Sequence, residues 1–391
     1  MTKRVTYLDN AATTPVRPEV LEAMLPYLGK EAFGNPSSAH RFGRAARAGI
    51  EEAKRAVATA VGAEPNQVVF TSGGTEADNL AIIGAALAAR ARGGPFRVAV
   101  SATEHKAGLA AAHAVTHLGG EEVILPVTAS GQVESKALDE VLERGVAIVS
   151  VMWVNNEVGT VQPVADVATR CCDTGVPFHS DAVQAFGKIP VSLRDSGCTL
   201  LTISGHKIGA PKGVGALIVR DRKAVEAIIH GGGQQFGIRP GTENVPGIVG
   251  LGVAARLAAE EQQALATRLG ELRDELERRL VAIVPDALIN GWQGVRAPHI
   301  TNVSIPGTDS EALLMHLDLA GVACSSGSAC STGAVEPSHV LTAMGVPREL
   351  GVAALRFSFG RDSTLEDVDA VSIALPKIVE KVRSLSAVLH R

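Results

Sequence analysis

Cysteine is scarce in this sequence, with five residues among 391. So few cysteines in a chain of this length do not indicate a disulfide framework, and they favour a reducing compartment, the cytoplasm. Long apolar runs are missing too: the longest, around Leu80 to Ala89, is too short to span a bilayer and predicts a buried helix. No apolar segment lies between Lys3-Arg4 and Asp9, so no signal peptide is predicted.

Positive charge is not in excess, because the net charge at pH 7 is −4. The sequence therefore has no basic footprint for nucleic acid, and direct nucleic-acid binding is not expected. The nucleotide fingerprints GxxxxGK followed by Ser or Thr, and GxGxxG, do not occur, which leaves no motif for a nucleotide site. The 46% of hydrophobic and 20% of charged residues are typical of a globular protein, and the length allows two domains.

Short β-branched runs alternate with alanine-rich stretches from about residue 15 to 250. Examples of the runs are Arg97 to Val100, Val123 to Leu125, Ala147 to Met152 and Gly215 to Val219. This alternation predicts a doubly wound α/β domain with a mostly parallel sheet. Ligands bind at the carboxyl ends of strands in such a sheet, where the sequence places Gly74, Asn156, Asp181 and Ser204.

Two polar clusters follow predicted strands in this region. Asp181 comes after the apolar run Val176 to Phe178, and Lys207 follows Ser204 at the end of the run Thr199 to Ile203. A lysine that forms a Schiff base and an aspartate that keeps a pyridine nitrogen protonated are what a pyridoxal-phosphate site needs. A solvated lysine and a helix-capping aspartate are the alternative.

A further segment has the pattern of a strand, a glycine turn and a helix. Val68 to Phe70 is followed by Ser72-Gly73-Gly74-Thr75-Glu76 and then by an apolar helical run. The free N–H groups and dipole of a helix N-terminus form an anion site, and glycine lets the backbone approach a phosphate closely. The hydroxyls of Thr75 and Ser204 and the imidazole of His206 would complete a phosphate cup. An ordinary capped helix is the alternative.

Together with further motifs, these segments resemble the cysteine desulfurases, pyridoxal-phosphate enzymes of fold type I in the class-V aminotransferase family. The resemblance is to the iron–sulfur assembly and nitrogen-fixation branch, and the motifs occur in the family's order from residue 7 to about residue 361. They are Tyr7 to Pro15, Gly34 to Ser38, Thr71 to Glu76, Thr103 to Lys106, Val154 to Gly159, Ser204 to Lys207, Arg239 to Asn244, Ser325 to Cys330 and Leu355 to Ser358.

This resemblance implies a fold type I transferase, with a mostly parallel seven-stranded sheet in a large domain and a smaller α+β domain. Residues 15–250 would form the large domain. Residues 1–14 and 251–391 would form the small domain, which carries the catalytic cysteine loop. From the end of the large domain into the small one, Gly247 to Val284 carries many charged residues and predicts a solvated connecting helix.

The resemblance also implies roles for residues around the cofactor, pyridoxal 5′-phosphate. Lys207 would form the Schiff base and move a proton at the substrate Cα, with Lys212 as the competing candidate. His105 would stack on the cofactor ring and assist acid–base steps, and a buried, hydrogen-bonded histidine is the alternative. The cofactor-binding residues implied are Gly74, Thr75, His105, Asn156, Asp181, Gln184, Ser204, His206, Lys207 and Thr242.

The substrate implied is L-cysteine. Arg356 would hold its carboxylate in a bidentate fork with help from Asn35 and Asn156, and a structural ion pair is the alternative role for Arg356. Asn156 and Gln184 would also hydrogen-bond the ring hydroxyl of the cofactor. Asn155 is the adjacent alternative to Asn156.

Cys330 lies in a segment of small residues, whose exposure would suit a nucleophilic thiol. It would take the sulfur of L-cysteine as a persulfide and leave L-alanine. Cys330 is also a candidate transient ligand of an iron–sulfur cluster, although no metal is expected in the isolated enzyme. Cys324 either closes a strand or relays the persulfide, and Cys171, Cys172 and Cys198 are predicted to pack in the core.

The implied partners are a second copy of the chain and a sulfur acceptor. Thr242 would reach across a two-fold homodimer to the other subunit's cofactor phosphate. The acceptor would be an iron–sulfur scaffold protein, a tRNA-thiolation protein, or part of a thiamine or molybdenum cofactor pathway, and no motif selects one. The alternatives in the same fold are an aminotransferase, a selenocysteine lyase and a cysteine sulfinate desulfinase. A non-catalytic sulfur carrier is the alternative of another class, and the presence of Lys207, Asp181 and His105 argues against it.

Overall fold

The structure is a computed structural model that describes residues 5–326 and 336–389. Its first elements are β1 Thr6–Tyr7, α1 Pro18–Leu28, α2 Arg41–Ala60, β2 Val68–Thr71, α3 Gly74–Ala91, β3 Arg97–Ser101, α4 Lys106–His117, β4 Glu121–Leu125, α5 Ser135–Arg144, β5 Ile148–Ser150, α6 Val164–Asp173, β6 Phe178–Asp181, α7 Leu193–Ser196, β7 Leu200–Ser204 and β8 Gly215–Val219. They are followed by α8 Val245–Ile283, β9 Leu288–Ile289, β10 Ile300–Ser304, α9 Ser310–Ala320, β11 Val322–Ala323, α10 His339–Ala343, α11 Arg348–Gly351, β12 Ala354–Ser358 and α12 Leu365–Leu389.

The central sheet contains seven strands of the described chain, in the order β2-β8-β7-β6-β5-β3-β4. The five strands β7, β6, β5, β3 and β4 run parallel to one another. The strand β8 runs antiparallel to both β2 and β7. The predicted α/β fold with a mostly parallel sheet is therefore confirmed. The predicted strand ends were close, although the run Ala147 to Met152 forms a strand only over Ile148–Ser150.

Helices cover both faces of this sheet. In β2, Val68 and Phe70 pack into one apolar core and Val69 into another, because successive side chains of a strand point to opposite faces. The helices α3 and α4 pack on the side of Val69, and α2, α5, α6 and the start of α8 pack on the other. The predicted buried helix around Leu80 to Ala89 lies within α3, whose buried residues are mostly alanine and glycine.

A second, antiparallel sheet has the strand order β12-β10-β9. A separate apolar core lies against it and includes Leu8, Phe357 and Val371. The N-terminal strand β1 pairs in parallel with β11, where Thr6 lies opposite Val322. The separate core supports the division into a large domain, residues 15–250, and a small domain, residues 1–14 and 251–391, which we retain as a proposal.

The long helix α8 links the two cores. Leu251, Ala254 and Ala255 are fully buried in the core of the central sheet, and Leu269 and Leu276 are fully buried in the core of the second sheet. A helix is present where the sequence predicted one, but the prediction that it is solvated was wrong. Charged residues alternate in its sequence with an apolar stripe, and this stripe packs against both cores.

No helix in the described ranges is long and apolar enough to cross a membrane. Residues 5–326 and 336–389 also contain no group of three or more His, Cys, Asp or Glu side chains arranged to hold a metal ion. Cys330, the predicted transient cluster ligand, lies outside the described residues.

Candidate active site

A cavity of about 490 Å³ lies beyond the carboxyl ends of β5, β6 and β7. The N-termini of α3 and α4 face the same space, because parallel strands and the helices that follow them meet at one edge of a sheet. The predicted site residues that line the cavity are Gly74, Thr75, His105, Asn156, Asp181, Gln184, Ser204, His206, Lys207 and Arg356.

Lys207 lies in the 3-10 turn Gly205–Lys207 that directly follows β7. Its Nζ donates to the carbonyl oxygens of Ala11 and Ala12, at 2.6 Å each. Burial and the nearby Arg356 charge lower the pKa of Lys207 to about 8, and Asp181 only partly offsets them. An amine with this pKa has a substantial neutral, nucleophilic fraction near neutral pH.

Lys212, the competing lysine, is exposed. It is not among the described residues that line the cavity. The structure therefore favours Lys207 as the lysine that meets a bound cofactor.

Asp181 ends β6 and is 5% exposed. Its Oδ1 accepts the backbone N–H of Val183 at 2.8 Å. Burial raises the pKa of Asp181, while the charges of His105 and Lys207 lower it. A buried carboxyl of this kind suits a cationic partner such as a protonated ring nitrogen.

His105 is the N-cap of α4, and its Nδ1 accepts the backbone N–H of Ala107 at 3.1 Å. This hydrogen bond leaves Nε2 as the N–H of a neutral ring. Burial is the largest cause that lowers the pKa of His105, and it outweighs the opposing charge of Asp181. A neutral imidazole is therefore available at the cavity near pH 7.

The glycine turn before α3 forms one end of the cavity. Gly73 has φ of 154°, and a Cβ on Gly74 would lie 3.2 Å from Val183 Cγ2. The adjacent Glu76 accepts hydrogen bonds from Ser72 N at 2.9 Å and Arg239 Nε at 2.7 Å, which fixes the turn. The pairing of Glu76 with Arg239 was not predicted from the sequence.

His206 completes the same end of the cavity. Its Nδ1 lies 3.1 Å from Thr13 Oγ1. Burial, with the charges of Lys207 and Lys212, lowers the pKa of His206 to about 4. The ring is therefore a neutral hydrogen-bonding group and not a cation near pH 7.

Arg356 lies in β12 and is 5% exposed. Its Nη2 pairs with Asp9 Oδ1 at 2.7 Å, and its Nη1 donates to the carbonyl of Asn156 at 2.9 Å. Its buried Nε has no hydrogen-bond partner among the described residues. The alternative role of Arg356, a structural ion pair, is thus present in this structure. A substrate carboxylate would meet Nε or compete with Asp9.

The structure separates the two adjacent asparagines. Asn155 is fully buried, and its side chain bonds the backbone of Thr103, Glu157 and Val158. It therefore holds the loop, while Asn156 lines the cavity.

Gln184 also lines the cavity, and its side-chain amide contacts Ala11 and His299. Its Nε2 donates to the carbonyl of Ala11 at 2.8 Å, and its Oε1 lies 3.3 Å from His299 Nε2.

Two predicted site residues of the described chain are not brought to the cavity. Asn35 and Thr242 are exposed, and neither is among the described lining residues. Cys330 lies outside the described residues, but Ser325 lines the cavity. Two backbone hydrogen bonds join Ser325 to Arg356.

The other cysteines divide by burial. Cys171 and Cys198 are buried as predicted, whereas Cys172 is exposed, so the packing role predicted for Cys172 was wrong. Burial is the main cause that raises the pKa of Cys324 to about 12. A thiol with that pKa stays protonated near pH 7, which favours packing over the persulfide relay for Cys324.

Several residues that line the cavity were not predicted from the sequence. They include two carboxyls, Glu157 and Asp78, and the imidazole of His339. The Ser338 hydroxyl donates to Glu157 Oε2, and His339 Nε2 donates to the carbonyl of Glu104 at 2.9 Å. Glu157 lies inside the motif Val154 to Gly159, and that motif could have indicated its place in the site. For His339 and Asp78, only the residue type itself suggested a functional role.

The donor set fits pyridoxal 5′-phosphate. One end offers the α3 N-terminus, two hydroxyls and a neutral imidazole, which suit a phosphate. The buried Asp181 suits a ring nitrogen, and Lys207 suits an aldehyde. A Cβ on Gly73 would meet no protein atom within 4 Å, so there is open space beside the turn at this end.

Comparisons with known proteins agree with this geometry. Residues 6–371 match the family described as Aminotransferase class-V. Cysteine desulfurase IscS of Dictyoglomus turgidum is 45% identical over 98% of this chain and 97% of its own. The IscS-like cysteine desulfurase of Mycobacterium tuberculosis is 43% identical over 96% of this chain and 97% of its own. A NifS-like protein from Rickettsia africae has a structure with TM-score 0.85 and 33% identity, covering 96% of this chain and 100% of that one.

The resemblance predicted from the motifs is therefore confirmed across nearly the whole length. These similarities, together with a cavity that fits the cofactor, show that the chain belongs to the class-V aminotransferase family.

Proposed function

We propose that the cavity binds pyridoxal 5′-phosphate and L-cysteine, and that Cys330 takes the sulfur as a persulfide and leaves L-alanine. Relatives named cysteine desulfurase match nearly the whole length, and the chain is accordingly a pyridoxal-phosphate-dependent cysteine desulfurase. The observation that carries the site assignment is the placement of Lys207 and Asp181 at neighbouring strand ends in one cavity.

Each end of the cofactor has its own set of residues. Asp181 would hold the ring nitrogen, and His105 would cover the ring face. Asn156 and Gln184 would bond the ring hydroxyl. The phosphate would lie among Gly74, Thr75, Ser204 and His206. When bound, the cofactor supplies an electron sink for the substrate Cα.

Lys207 would move the proton at the substrate Cα. Its Nζ is held by two backbone carbonyls, and a neutral amine freed from them can accept a proton. With a pKa of about 8, the same group can return that proton near neutral pH. Arg356 and Asn35 would orient the substrate by its carboxylate, and Asn156 would assist them.

The reach of the chain supports Cys330 as the sulfur acceptor. Ser326 is described and buried, and Ser325 lines the cavity. Cys330 is four residues after Ser326 in the sequence, and four extended residues span at most about 14 Å. A tether of this length is short enough to keep a thiol within reach of the cavity.

Thr242 supports a homodimer because it is exposed and outside the cavity of its own chain. Leu21, Leu25 and Leu28 of α1 form an exposed apolar stripe, each more than half exposed, and an interface with a second copy would cover such a stripe. We expect sedimentation to show a dimer. A monomer that holds the cofactor tightly would contradict this.

The proposal extends to the protein that accepts the sulfur and to the cellular compartment. We infer that the persulfide goes to an iron–sulfur scaffold protein, with a tRNA-thiolation protein as a further acceptor, and that Cys330 ligates a transient cluster in such a complex. The four described cysteines are free, which supports a reducing cytoplasm.

The experiment is an assay of alanine and sulfide from L-cysteine plus a thiol reductant. Wild type is compared with Cys330→Ala and with Cys172→Ala, a matched control at an exposed cysteine. We expect Cys330→Ala alone to lose both products. Equal activity of all three proteins would overturn the role of Cys330, and a Cys330→Ala protein active only on selenocysteine would indicate a selenocysteine lyase.

A further inference from the structure

The side-chain amide of Gln184 is held at two points. Its Nε2 donates to the carbonyl of Ala11 at 2.8 Å, and its Oε1 lies 3.3 Å from His299 Nε2, within hydrogen-bonding distance. Gln184 is 5% exposed and His299 is 1% exposed. Water therefore competes little for either contact, and both constrain the amide.

The carbonyl of Ala11 fixes which way round this amide lies. A carbonyl oxygen only accepts hydrogen bonds, so the Gln184 nitrogen must face Ala11 and its oxygen must face His299. The same carbonyl accepts Lys207 Nζ at 2.6 Å, and its two lone pairs allow both bonds. A flipped amide would bring two acceptor oxygens together at Ala11.

His299 must then carry its proton on Nε2. Burial is the main cause that lowers the pKa of His299 well below its usual value, so the ring is neutral near pH 7 and has one N–H. With the proton on Nε2, the ring donates to Gln184 Oε1. The other tautomer would place two acceptors 3.3 Å apart. It would also leave an N–H at the buried Nδ1, which has no partner among the described residues.

The contact between His299 and Gln184 joins the two sheets of the fold. Gln184 follows β6 of the central sheet, and His299 lies directly before β10 of the second sheet. The backbone carbonyl of His299 accepts the N–H of Phe359, just after β12, at 2.8 Å. The second sheet therefore holds His299 in place, and His299 holds an amide that lines the cavity.

The amide held in this way has one N–H left to offer to the cavity. A glutamine amide has two N–H donors, and the carbonyl of Ala11 takes one of them. An N–H suits an oxygen that carries negative charge. The ring oxygen of pyridoxal 5′-phosphate is such a group.

We propose that His299 is a positioning residue of the active site. Through its Nε2–H it locks the Gln184 amide in the orientation that offers an N–H to the ring oxygen of the bound cofactor. The proposal rests on the proposed function, because the cofactor is the ligand that Gln184 meets. His299 itself acts only through Gln184.

The visible absorption of the holoenzyme as a function of pH tests this role. An N–H bond to the ring oxygen stabilises its negative charge and favours loss of the neighbouring proton. In His299→Leu the donor to Gln184 is lost and the amide loosens, so the pH midpoint of the absorption change should rise by about half a unit. His299→Gln keeps an N–H near the position of Nε2 and should restore most of the wild-type midpoint.

A variant of Gln184 shows whether His299 acts through it. In Gln184→Leu the amide is absent, so adding His299→Leu should not shift the midpoint further. An unchanged midpoint in His299→Leu alone would overturn the proposal. The same shift in both backgrounds, or an equal shift in His299→Gln, would also overturn it.

Two further measurements do not use the absorption of the cofactor. His299→Leu should lower the melting temperature of the full-length protein more when Gln184 is present than in Gln184→Leu, and equal losses would contradict the bond. Neutron diffraction from crystals of the wild-type protein in heavy water requires no variant to fold. We expect deuterium on His299 Nε2, and deuterium on Nδ1 instead would overturn the proposal. A protein that takes up no pyridoxal 5′-phosphate would overturn the proposed function, and these two measurements would still decide whether His299 holds Gln184.

Discussion

The floor and the mouth of the cavity are built in different ways. The floor, which we define as Gly74, Asp181, Ser204 and Lys207, comes from the ends of β2, β6 and β7 and the turns that follow them in one sheet. The mouth, defined as Asp9, Asn156, Ser325, His339 and Arg356, joins segments from both ends of the chain and the middle. Strand pairing fixes the floor, whereas the mouth depends on a few long-range polar contacts. A substitution in the floor should therefore remove the chemistry, and one in the mouth should change substrate binding.

The largest effect is expected at the floor, from Lys207→Ala. Loss of the nucleophilic amine should lower the rate of sulfide release by about a thousandfold or more. The matched control is Lys212→Ala, which removes an exposed lysine five residues later and should keep the wild-type rate. Steady-state assays of the two variants check this, and equal losses would contradict the assignment of Lys207.

A smaller effect is expected at the mouth, from Arg356→Lys. Lysine keeps the charge but loses the planar fork that meets Asp9 and the carbonyl of Asn156, so KM for L-cysteine should rise by about tenfold with little change in kcat. Asp9→Asn weakens the same ion pair with Arg356 and should change KM by less than Arg356→Lys does. A large fall in kcat at unchanged KM would show that Arg356 belongs with the floor.

The pH dependence of cofactor uptake tests the floor without substrate. The pKa of Lys207 is lowered to about 8, so the amine is mostly protonated below that pH and mostly neutral above it. The rate at which the cofactor-free protein takes up pyridoxal 5′-phosphate, followed by visible absorbance, should rise about tenfold per pH unit below 8 and then level off. A rise centred near the pKa of free lysine would contradict the environment described for Lys207.

The smallest effect concerns a lysine below the floor. Lys188 is 9% exposed, and burial lowers its pKa to about 8. The unfolded chain therefore binds more protons than the folded one between pH 8 and about 10, so stability should rise with pH in that window. In Lys188→Met the part of this rise that comes from Lys188 should be lost, so the rise becomes smaller, and the free energy of unfolding at pH 7 should increase by about 1–3 kcal/mol.

Urea unfolding of both proteins at pH 7 and pH 9 measures this. The lost hydrogen bond from Lys188 Nζ to the Lys207 carbonyl is long, 3.4 Å, and contributes little. A variant less stable than wild type at pH 7 would indicate that this bond matters more than the buried charge.

The floor was predictable from the sequence because local patterns determine it. An apolar run followed by a polar cluster placed Asp181 and Lys207 at strand ends, and the glycine turn placed Thr75 at a helix N-terminus. The sheet then brought these ends together.

The mouth was less predictable because its contacts join residues far apart in sequence. Nothing local indicates that Asp9 pairs with Arg356 across 347 residues, or that His339 faces the cavity. The same holds for the buried part of α8, where regularly spaced charges obscured the apolar stripe that packs on both cores.

The central claim is that the floor activates the substrate and Cys330 accepts the sulfur. The most direct measurement is to treat the holoenzyme with L-cysteine, block thiols and persulfides with an alkylating reagent, and map the extra sulfur by peptide mass spectrometry. The account predicts one added sulfur on the peptide that contains Cys330 and none on those that contain Cys172 or Cys324. An added sulfur on Cys172 or Cys324, or on none of the cysteines during active turnover, would contradict it.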